Sequence, residues 1–344
     1  MKEVLVTGGT GYIGSHTVVE LYEAGFQPVV VDNLSNSRAE VLHRIKTITG
    51  FDTPFYQVDC CDTQAMHKLF GQHSFVAAIH FAASKSVSES VEKPLSYYRN
   101  NIDALLTLLE CMAEKKTPAL VFSSSCTVYG EPEKLPVTEA STISPAKSPY
   151  GNTKQINEEI IRDFVFGGAA MSAVLLRYFN PIGAHPSALI GEEPRGVPQN
   201  LVPYLTQTAA GLRKHLSVFG TDYDTPDGSC IRDYIHIVDL AQAHIAALQF
   251  ILRTATTSTP QVEAFNIGTG RGVSVLELLH AFEEANNIKV PSQLADRRAG
   301  DVKAIWADPS KANATLGWKA TTSLHESLRT AWLWQQRILE ETKR

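Results

Sequence analysis

The chain is expected to fold as an α/β protein, a doubly wound parallel sheet joined to a smaller C-terminal α/β domain. Three observations lead there. First, the apolar run Val4, Leu5, Val6 enters a turn carrying Gly8, Gly11 and Gly14, and the helical pattern Ile13, Val18, Leu21, Tyr22 leaves it. Strand, glycine turn and helix start in that order form the Rossmann-type arrangement that presents free backbone N–H groups to a pyrophosphate. Second, short apolar runs recur at 28–31, 55–58, 76–80, 119–122 and 172–176, alternating with helical patterns, as parallel βα units require. Third, this rhythm breaks where prolines gather at 181, 186, 194, 198 and 203. The expected division is therefore 1–180 for a dinucleotide-binding domain and 181–344 for a substrate domain, with 238–268 a candidate to pack back onto the first.

Composition bounds the function. With 344 residues and 44% apolar content the chain can bury a sizeable core. A net charge of −5 gives no basic footprint for nucleic acid. Cys60, Cys61, Cys111, Cys126 and Cys230 are odd in number and lack zinc spacing, so reduced thiols in a cytoplasmic protein are expected. The eleven histidines form no metal-ligand pattern, and no metal is expected. No apolar run is long enough to span a bilayer, and the N-terminus has no signal-type segment, so no membrane partner is expected.

The glycine spacing alone also fits a ligand-free βα loop. The run at 28–31 changes the balance, because it ends at Asp32, about twenty residues past the turn, where a carboxylate accepts both ribose hydroxyls. The same charge repels a 2′-phosphate, which makes the expected cofactor NAD and not NADP. Asn33, Leu34, Ser35, Asn36 and Ser37 follow as a polar turn beside the adenosine ribose, with Ser37 alternatively a helix cap. The third run, 55–58, reaches Asp59 and Cys60, candidates to touch adenine; Cys60 fits a plain buried thiol equally well. Asp62 reads as the cap of the next helix. After the fourth run the small residues of Phe81, Ala82, Ala83, Ser84 and Lys85 allow close approach to a ligand. Lys85 is a candidate for the diphosphate or a solvated charge. Asn100 and Asn101 are expected just before a long helix, one as its cap and one facing the cofactor.

The fifth run delivers Ser123, Ser124 and Ser125, hydroxyls at a strand end able to meet the nicotinamide and a substrate hydroxyl. Residues 131–149 read as an exposed loop. The helix that follows begins at Ser148, Pro149 and Tyr150, placing Tyr150 and Lys154 one turn apart on one face. Alone, that is an ordinary surface pair; behind a dinucleotide turn and a serine-bearing strand end it reads as a catalytic base and its cation. A phenol of pKa near 10 needs about 4 kcal/mol of help to act as a base near pH 7. One cation at about 4 Å supplies about 1 kcal/mol in water and about 4 kcal/mol at an effective dielectric of 20, so the site must be partly dry. Ser125 is expected to hold the same substrate hydroxyl. Beyond the domain change, Asn200 and Leu201, the 216–220 run with Ser217, Val218 and Phe219, the Arg232 segment and the 297–301 segment read as substrate-binding parts. Arg232 and Arg298 have the guanidinium geometry for bidentate phosphate contact, although Arg298 alone is also an ordinary surface charge. Trp318, Trp332 and Trp334 read as packing residues.

Taken together, these motifs resemble the extended short-chain dehydrogenase/reductase family and, within it, the UDP-glucose 4-epimerases. The likeness runs over nearly the whole chain, through the glycine turn, Asp32 to Asn36, His80-Phe81-Ala82, the three serines, and Tyr150 with Lys154. It continues through Phe179-Asn180-Pro181, Arg232-Asp233-Tyr234, Asn266 to Gly270, and Arg297-Arg298 with Asp301. The glycine turn and the Tyr/Lys pair mark only the superfamily; the stretch from Phe179 and the Arg232 segment point to the epimerases.

The resemblance implies an isomerase interconverting UDP-galactose and UDP-glucose, and possible action on the N-acetylated pair. It implies NAD-dependent oxidation at sugar C4, rotation of a 4-keto intermediate and re-reduction on the other face, with Tyr150, Lys154 and Ser125 catalytic. NAD is implied to lie against Tyr12, Ile13, the Asp32 loop, Asp59, Cys60, the stretch from Phe81 to Lys85, Asn100, Tyr150, Lys154 and Tyr178. The UDP-hexose is implied to meet Phe179, Asn180, Asn200, Leu201, Phe219, Arg232, Arg298 and Asp301. A homodimer through helices near Leu105 and Ile156 is also implied. Two positions depart from the pattern. Cys126 replaces a small alanine-like residue, and Ile305 stands where tyrosine or cysteine is frequent, next to the sugar C2 substituent. The rival readings are a nucleotide-sugar 4,6-dehydratase, which needs an added acid/base pair that Ser124, Ser125 and Cys126 do not offer, and a silent NAD-binding regulator, which would not need both Tyr150 and Lys154.

Overall fold

The computed structural model describes residues 1–254, 259–298 and 301–342. The first half runs β1 (Lys2–Thr7), α1 (Tyr12–Glu23), β2 (Phe26–Val31), α2 (Glu40–Thr49), β3 (Phe55–Tyr56), α3 (Thr63–Gln72), β4 (Ala77–His80), α4 (Val87–Glu92), α5 (Pro94–Lys115), β5 (Ala119–Ser123), a 3₁₀ turn (Cys126–Tyr129), α6 (Pro149–Phe166) and β6 (Ser172–Tyr178). The second half runs β7 (Asn180–Ile182), α7 (Leu201–Ala209), β8 (Leu216–Phe219), β9 (Ile231–Arg232), β10 (Tyr234–His236), α8 (Ile237–Thr254), β11 (Val262–Ile267), β12 (Val273–Ser274), α9 (Val275–Asn286), β13 (Ser292–Ala295), β14 (Ala304–Ile305), α10 (Ser310–Leu316) and α11 (Leu324–Thr342).

Seven strands pair in parallel in the order β11-β6-β5-β4-β1-β2-β3. Successive strand residues face opposite sides. Thus Val4, Val6, Val30, Ile79 and Val121 join a core with α1 and α8, while Leu5, Val29, Val31, Leu120 and Phe122 join another with α3, α5 and α6. Burial on both faces explains why these strands read as unbroken apolar runs. From β1 the chain winds outward to β2 and β3, then returns beside β1 with β4 and winds the other way, so the ends of β1 and β4 border a crevice. A second lobe packs α7, α9 and α11 around Leu205, Leu278, Phe282 and Leu328. The segment beyond the prolines also contributes to the large sheet: β11 pairs with β6, and α8 carries Leu240, Ala243 and Leu248 into the core that includes α1. Among the described residues no helix is long and apolar enough to cross a membrane.

Several local expectations are corrected. Asn100 and Asn101 lie inside α5, which begins at Pro94. Asn101 is tolerated there because its side chain accepts from Ser84 N (2.8 Å) and donates to Ser84 O and Thr153 Oγ1 (both 3.0 Å). Tertiary partners outweigh its weak helix propensity. Ser37 caps no helix, since α2 begins at Glu40 after Ala39; its hydroxyl donates to Asp32 Oδ1 at 3.0 Å. Strand β3 stops at Tyr56 and leaves Gln57 and Val58 outside it. The 131–149 loop is not wholly exposed: Val137 is fully buried, and its N–H donates to Trp306 O at 3.0 Å. Asp62 and Ser148 cap α3 and α6 with their side chains, and Trp318 and Trp334 are buried.

Candidate active site

A cavity of about 770 Å³ opens over the crevice. Its floor depends on two glycines. Gly8 has φ +70°, and a Cβ there would lie 2.9 Å from Ala82 N; a Cβ on Gly14 would lie 2.2 Å from Gly8 O. Only glycine lets the turn, the loop after β4 and the first turn of α1 pack this closely. Helix α1 has no acidic residue in its first turn, so its free N–H groups and positive end remain available to an anion. At the far end of the cavity Asp32 is held ready: its oxygens accept from Thr10 N (3.2 Å), Leu34 N (2.8 Å) and Ser37 Oγ (3.0 Å). The glycine cradle and a fixed carboxylate at its end suit a dinucleotide with free ribose hydroxyls.

The cavity brings together Gly8, Gly11, Tyr12, Ile13, Gly14, Asp32, Asn33, Ser35, Asn36, Ser37, Asp59, Cys60, Phe81, Ala82, Ala83, Lys85, Asn100, Tyr150, Lys154, Tyr178 and Asn200. Leu34 does not line it, although its backbone orients Asp32 with φ +59°. Asn33 Nδ2 donates to Asp59 Oδ2 at 2.9 Å, linking the loops after β2 and β3. Burial pushes the Cys60 thiol far above its ordinary pKa, so it is an inert neutral wall. Lys85 is paired with Glu192 at 3.2 Å and half-exposed.

At the other end Tyr150 and Lys154 project from α6, 7% and 3% exposed. Lys154 Nζ donates to Ser123 O at 2.7 Å and lies 4.8 Å from the Phe122 ring centroid and 6.0 Å from that of Tyr150. Burial drives the Tyr150 phenol above its usual pKa, opposed by the Ser125 hydroxyl. Burial also draws the Lys154 ammonium down to about 8, with Glu158 opposing. The site is drier than the free-phenol estimate requires, and desolvation makes a lone phenolate more costly. Lys154 is still an ammonium at neutral pH, and in so dry a place its charge acts at low dielectric. Tyr178, whose hydroxyl is 2.8 Å from Ser123 Oγ, is raised to about 12 by burial.

The expected substrate residues form a second group outside the cavity, apart from Lys85, Tyr150 and Asn200; Asn200 precedes α7 and its first residue Leu201. Arg298 grips Asp301 with two bonds (3.1 and 2.9 Å), and Arg232 Nη2 stands 3.6 Å from the same carboxylate. The Arg298 guanidinium lies 5.6 Å from the ring centroid of Phe219, which is 39% exposed. Ala299 and Gly300, between the two charged ends of that segment, lie outside the described residues. Ser217 and Val218 sit on β8, Val218 fully buried. Asn180 begins β7, and its N–H donates to Asp233 O at 2.9 Å. Ile305 on β14 pairs in register with Arg232 and packs in a buried cluster with Phe179, Val128 and Tyr129. Cys126 lies near both Tyr150 and Arg232, between the two groups. Its own thiol is raised to about 12 by burial.

Sequence reasoning named Asn200 but missed the rest of the wall formed by 191–199. Arg195 donates to the carbonyls of Ser35 (3.2 Å) and Ser37 (2.5 Å). Glu193 meets Arg38 at 3.3 Å and Arg44 at 3.9 Å. Glu192 accepts from Asn200 Nδ2 at 2.6 Å, and its carbonyl accepts from Trp334 Nε1 at 3.0 Å. The only sequence signal was a pair of acids within a proline-rich stretch, of which Glu193 faces arginines more than 140 positions away and Glu192 faces Lys85 and Asn200.

A doubly wound sheet, a dinucleotide cradle and a buried Tyr/Lys helix pair define a nucleotide-dependent enzyme of the short-chain dehydrogenase/reductase type. The family model described as GDP-mannose 4,6 dehydratase matches residues 5–331. A UDP-glucose 4-epimerase of Dictyostelium discoideum is 50% identical over 332 residues, 96% of this chain and 95% of that one. Two crystal structures superpose closely. The UDP-glucose 4-epimerase of Bifidobacterium longum in complex with NAD⁺ and UDP has a TM-score of 0.93 at 43% identity, covering 98% of each chain. That of Stenotrophomonas maltophila, with bound NAD and formylated UDP-arabinopyranose, has a TM-score of 0.95 at 46% identity, covering 99% of this chain and 100% of that one. The chain belongs to the UDP-glucose 4-epimerase family.

Three buried histidines set an acid limit on the fold. Burial lowers His16 and His80 to about 3 and His244 to about 4. Their stability contribution is complete above the unfolded value of about 6.5 and is lost as pH falls from there toward those folded values. Each costs up to about 1.4 kcal/mol per pH unit across that window. His80→Gln should make the fall of unfolding free energy between pH 6.5 and 4.5, read in urea titrations, shallower by about one proton. An unchanged slope would show that His80 is already charged in the folded protein.

Proposed function

We propose that this protein interconverts UDP-galactose and UDP-glucose by NAD-dependent epimerisation at sugar C4. The observation that carries the reading is the Tyr150/Lys154 pair, one turn apart on α6, buried, and in one cavity with the glycine cradle and Asp32. Bound NAD supplies reversible hydride acceptance at the sugar carbon. The chain supplies the proton chemistry: Tyr150 takes the proton of the 4-hydroxyl and returns it, Ser125 hydrogen-bonds the same oxygen, and the Lys154 ammonium lowers the cost of the phenolate. Arg232, Arg298, Asp301 and Phe219, with Asn180, Asn200 and Leu201, hold the UDP, leaving the hexose free to turn beside Phe179 and Ile305. Lys85, Ser217 and Val218 complete the substrate set. The dehydratase reading is not favoured, because Ser124, Ser125 and Cys126 at the strand end carry no carboxylic acid for the extra elimination step.

In this reading residues 1–180, with 238–268, form the NAD unit and 181–344 the UDP-sugar unit. The protein is cytoplasmic, a placement supported by five free cysteines. It is a homodimer through α5 and α6. Leu95 and Leu106 are 76% and 41% exposed, and with Tyr98 and Ile102 they recur at helical spacing on α5; Leu105 itself is fully buried. Light scattering should give twice the chain mass, and Leu106→Glu should shift it toward the monomer. A wild-type mass of one chain would remove the dimer.

The reaction is tested by incubating the purified protein with UDP-galactose without added cofactor. UDP-glucose should accumulate to equilibrium, and denaturation should release NAD and no NADP. Tyr150→Phe should retain NAD and lower turnover by roughly 10²-fold or more. Near-normal turnover in that variant would take the tyrosine out of the mechanism.

Ile305 bears on substrate range. It is shorter than tyrosine and bulkier than cysteine, and its branched Cβ limits its movement. UDP-galactose should be the better substrate, with UDP-N-acetylgalactosamine turned over more slowly by roughly 10–200-fold at most, the scale of steric discrimination. Ile305→Tyr should reduce the N-acetyl activity selectively and Ile305→Cys should raise it. An unchanged activity ratio in both would place Ile305 outside the sugar pocket.

A further inference from the structure

Behind the site lies a buried ion pair that the proton chemistry does not use. Glu158 stands one turn beyond Lys154 on α6, and Arg177 lies near the end of β6; they are 3% and 2% exposed. Glu158 Oε1 accepts from Arg177 Nε at 2.9 Å and Oε2 from Nη2 at 2.5 Å. Each partner then reaches one side of the Ser125 turn. Glu158 Oε1 also accepts from Ser124 Oγ at 2.6 Å. Arg177 Nη1 donates to Tyr129 Oη at 3.1 Å, and its guanidinium lies 5.1 Å from that ring's centroid. Tyr129 Oη in turn donates to Asn266 Oδ1 at 2.6 Å, and Asn266 Nδ2 to Val137 O at 2.9 Å. Ser125 lies between these two anchored positions with extended backbone (φ −155°, ψ 152°), its hydroxyl accepting from Thr127 N at 3.2 Å.

We propose that Glu158 and Arg177 are positioning residues of the reaction: one ion pair clamps Ser124 and Tyr129, and thereby fixes the Ser125 hydroxyl opposite Tyr150. A buried ion pair is weak evidence for stability, because desolvation offsets most of its Coulomb energy, whereas a fully hydrogen-bonded one can specify a single local geometry. Arg162, one turn along α6, stands 3.8 Å from Glu158 Oε2, but the hydrogen bonds that Glu158 and Arg177 make beyond each other fall on the segment that carries Ser125. Lys154 holds the preceding residue by its carbonyl, so three consecutive serines are fixed, directly or through their neighbours, by groups on α6 and β6. Glu158 also counteracts the burial of Lys154, which ties the clamp to the cation as well as to the hydroxyl. The inference rests on the proposed epimerase reaction and on Ser125 meeting the sugar hydroxyl.

The test uses Ser124→Ala and Tyr129→Phe, which each remove one hydroxyl and leave the ion pair in place. Each should lower kcat for UDP-galactose about tenfold, the scale of a sub-ångström misplacement, with KM and bound NAD unchanged. Ser124→Thr should restore kcat. In a Ser125→Ala background the same replacements should cause no further loss, because their effect passes through Ser125; a merely structural pair would give losses that multiply. Wild-type kcat in both single variants, or full multiplication with Ser125→Ala, would overturn the proposal. A normal kcat in Ser125→Ala alone would overturn it too, while leaving the epimerase reading intact. Absence of any conversion by the wild-type protein would instead sink the reaction itself. Should Tyr129→Phe fold poorly, Ser124→Ala, Ser124→Thr and their Ser125→Ala combinations decide the matter alone.

Discussion

The site depends on keeping Lys154 charged where water barely reaches. Lys154 is 3% exposed, and its ammonium donates to the Ser123 carbonyl. Isolated charges in such surroundings neutralise themselves. The Glu158 carboxylate a turn away opposes that loss, and is itself paired with Arg177, so charges alternate from the cavity wall into the sheet. The strand ends, the serine segment and α6 must meet in one register for that alternation to close. The same dryness that threatens the ammonium gives its field reach, since an ion that is weak in water acts several times more strongly at low dielectric.

The adenosine end uses the opposite strategy. Asp32 is fixed by three donors from neighbouring backbone and hydroxyl groups, and the 191–200 wall is tied across it by exposed contacts of Arg195 and Glu193. Surface ion pairs are individually worth little and are screened by salt. A wall held by several of them can open locally at small cost without disturbing the sheet. The two ends of the cavity therefore differ in what holds them: buried charge around Lys154, and polar contacts nearer the surface along 193–195.

Most of the architecture was legible because it follows from unbroken apolar runs and glycine spacing. The runs beginning at Val4, Val29, Ala77, Leu120 and Ala173 are buried on both faces, so each strand announced itself without needing a partner. The Tyr150/Lys154 pair was legible for a similar reason, as helical spacing alone fixes its geometry. What escaped was set by distant partners. Asn101 looked like a cap because its local sequence favours one, yet Ser84 and Thr153 accommodate it in mid-helix. Glu193 and Arg195 carried no local signal of the Arg38 side chain and Ser37 carbonyl they meet. Glu158 carried no local signal of its partner Arg177, nineteen positions later.

The buried cluster around Ile305 joins the proposed substrate range to that frame. Ile305, Phe179, Val128 and Tyr129 pack together, and Tyr129 is also the residue that Arg177 holds. Close-packed interiors do not absorb a change in side-chain volume at a single point. A larger residue at 305 therefore presses on the ring whose hydroxyl anchors the Ser125 turn, and a smaller one loosens it. Changes at 305 should act on selectivity through the space left for the sugar, and on turnover of every substrate through Tyr129. The two effects separate in principle, because the first alters the ratio of activities while the second lowers all of them together.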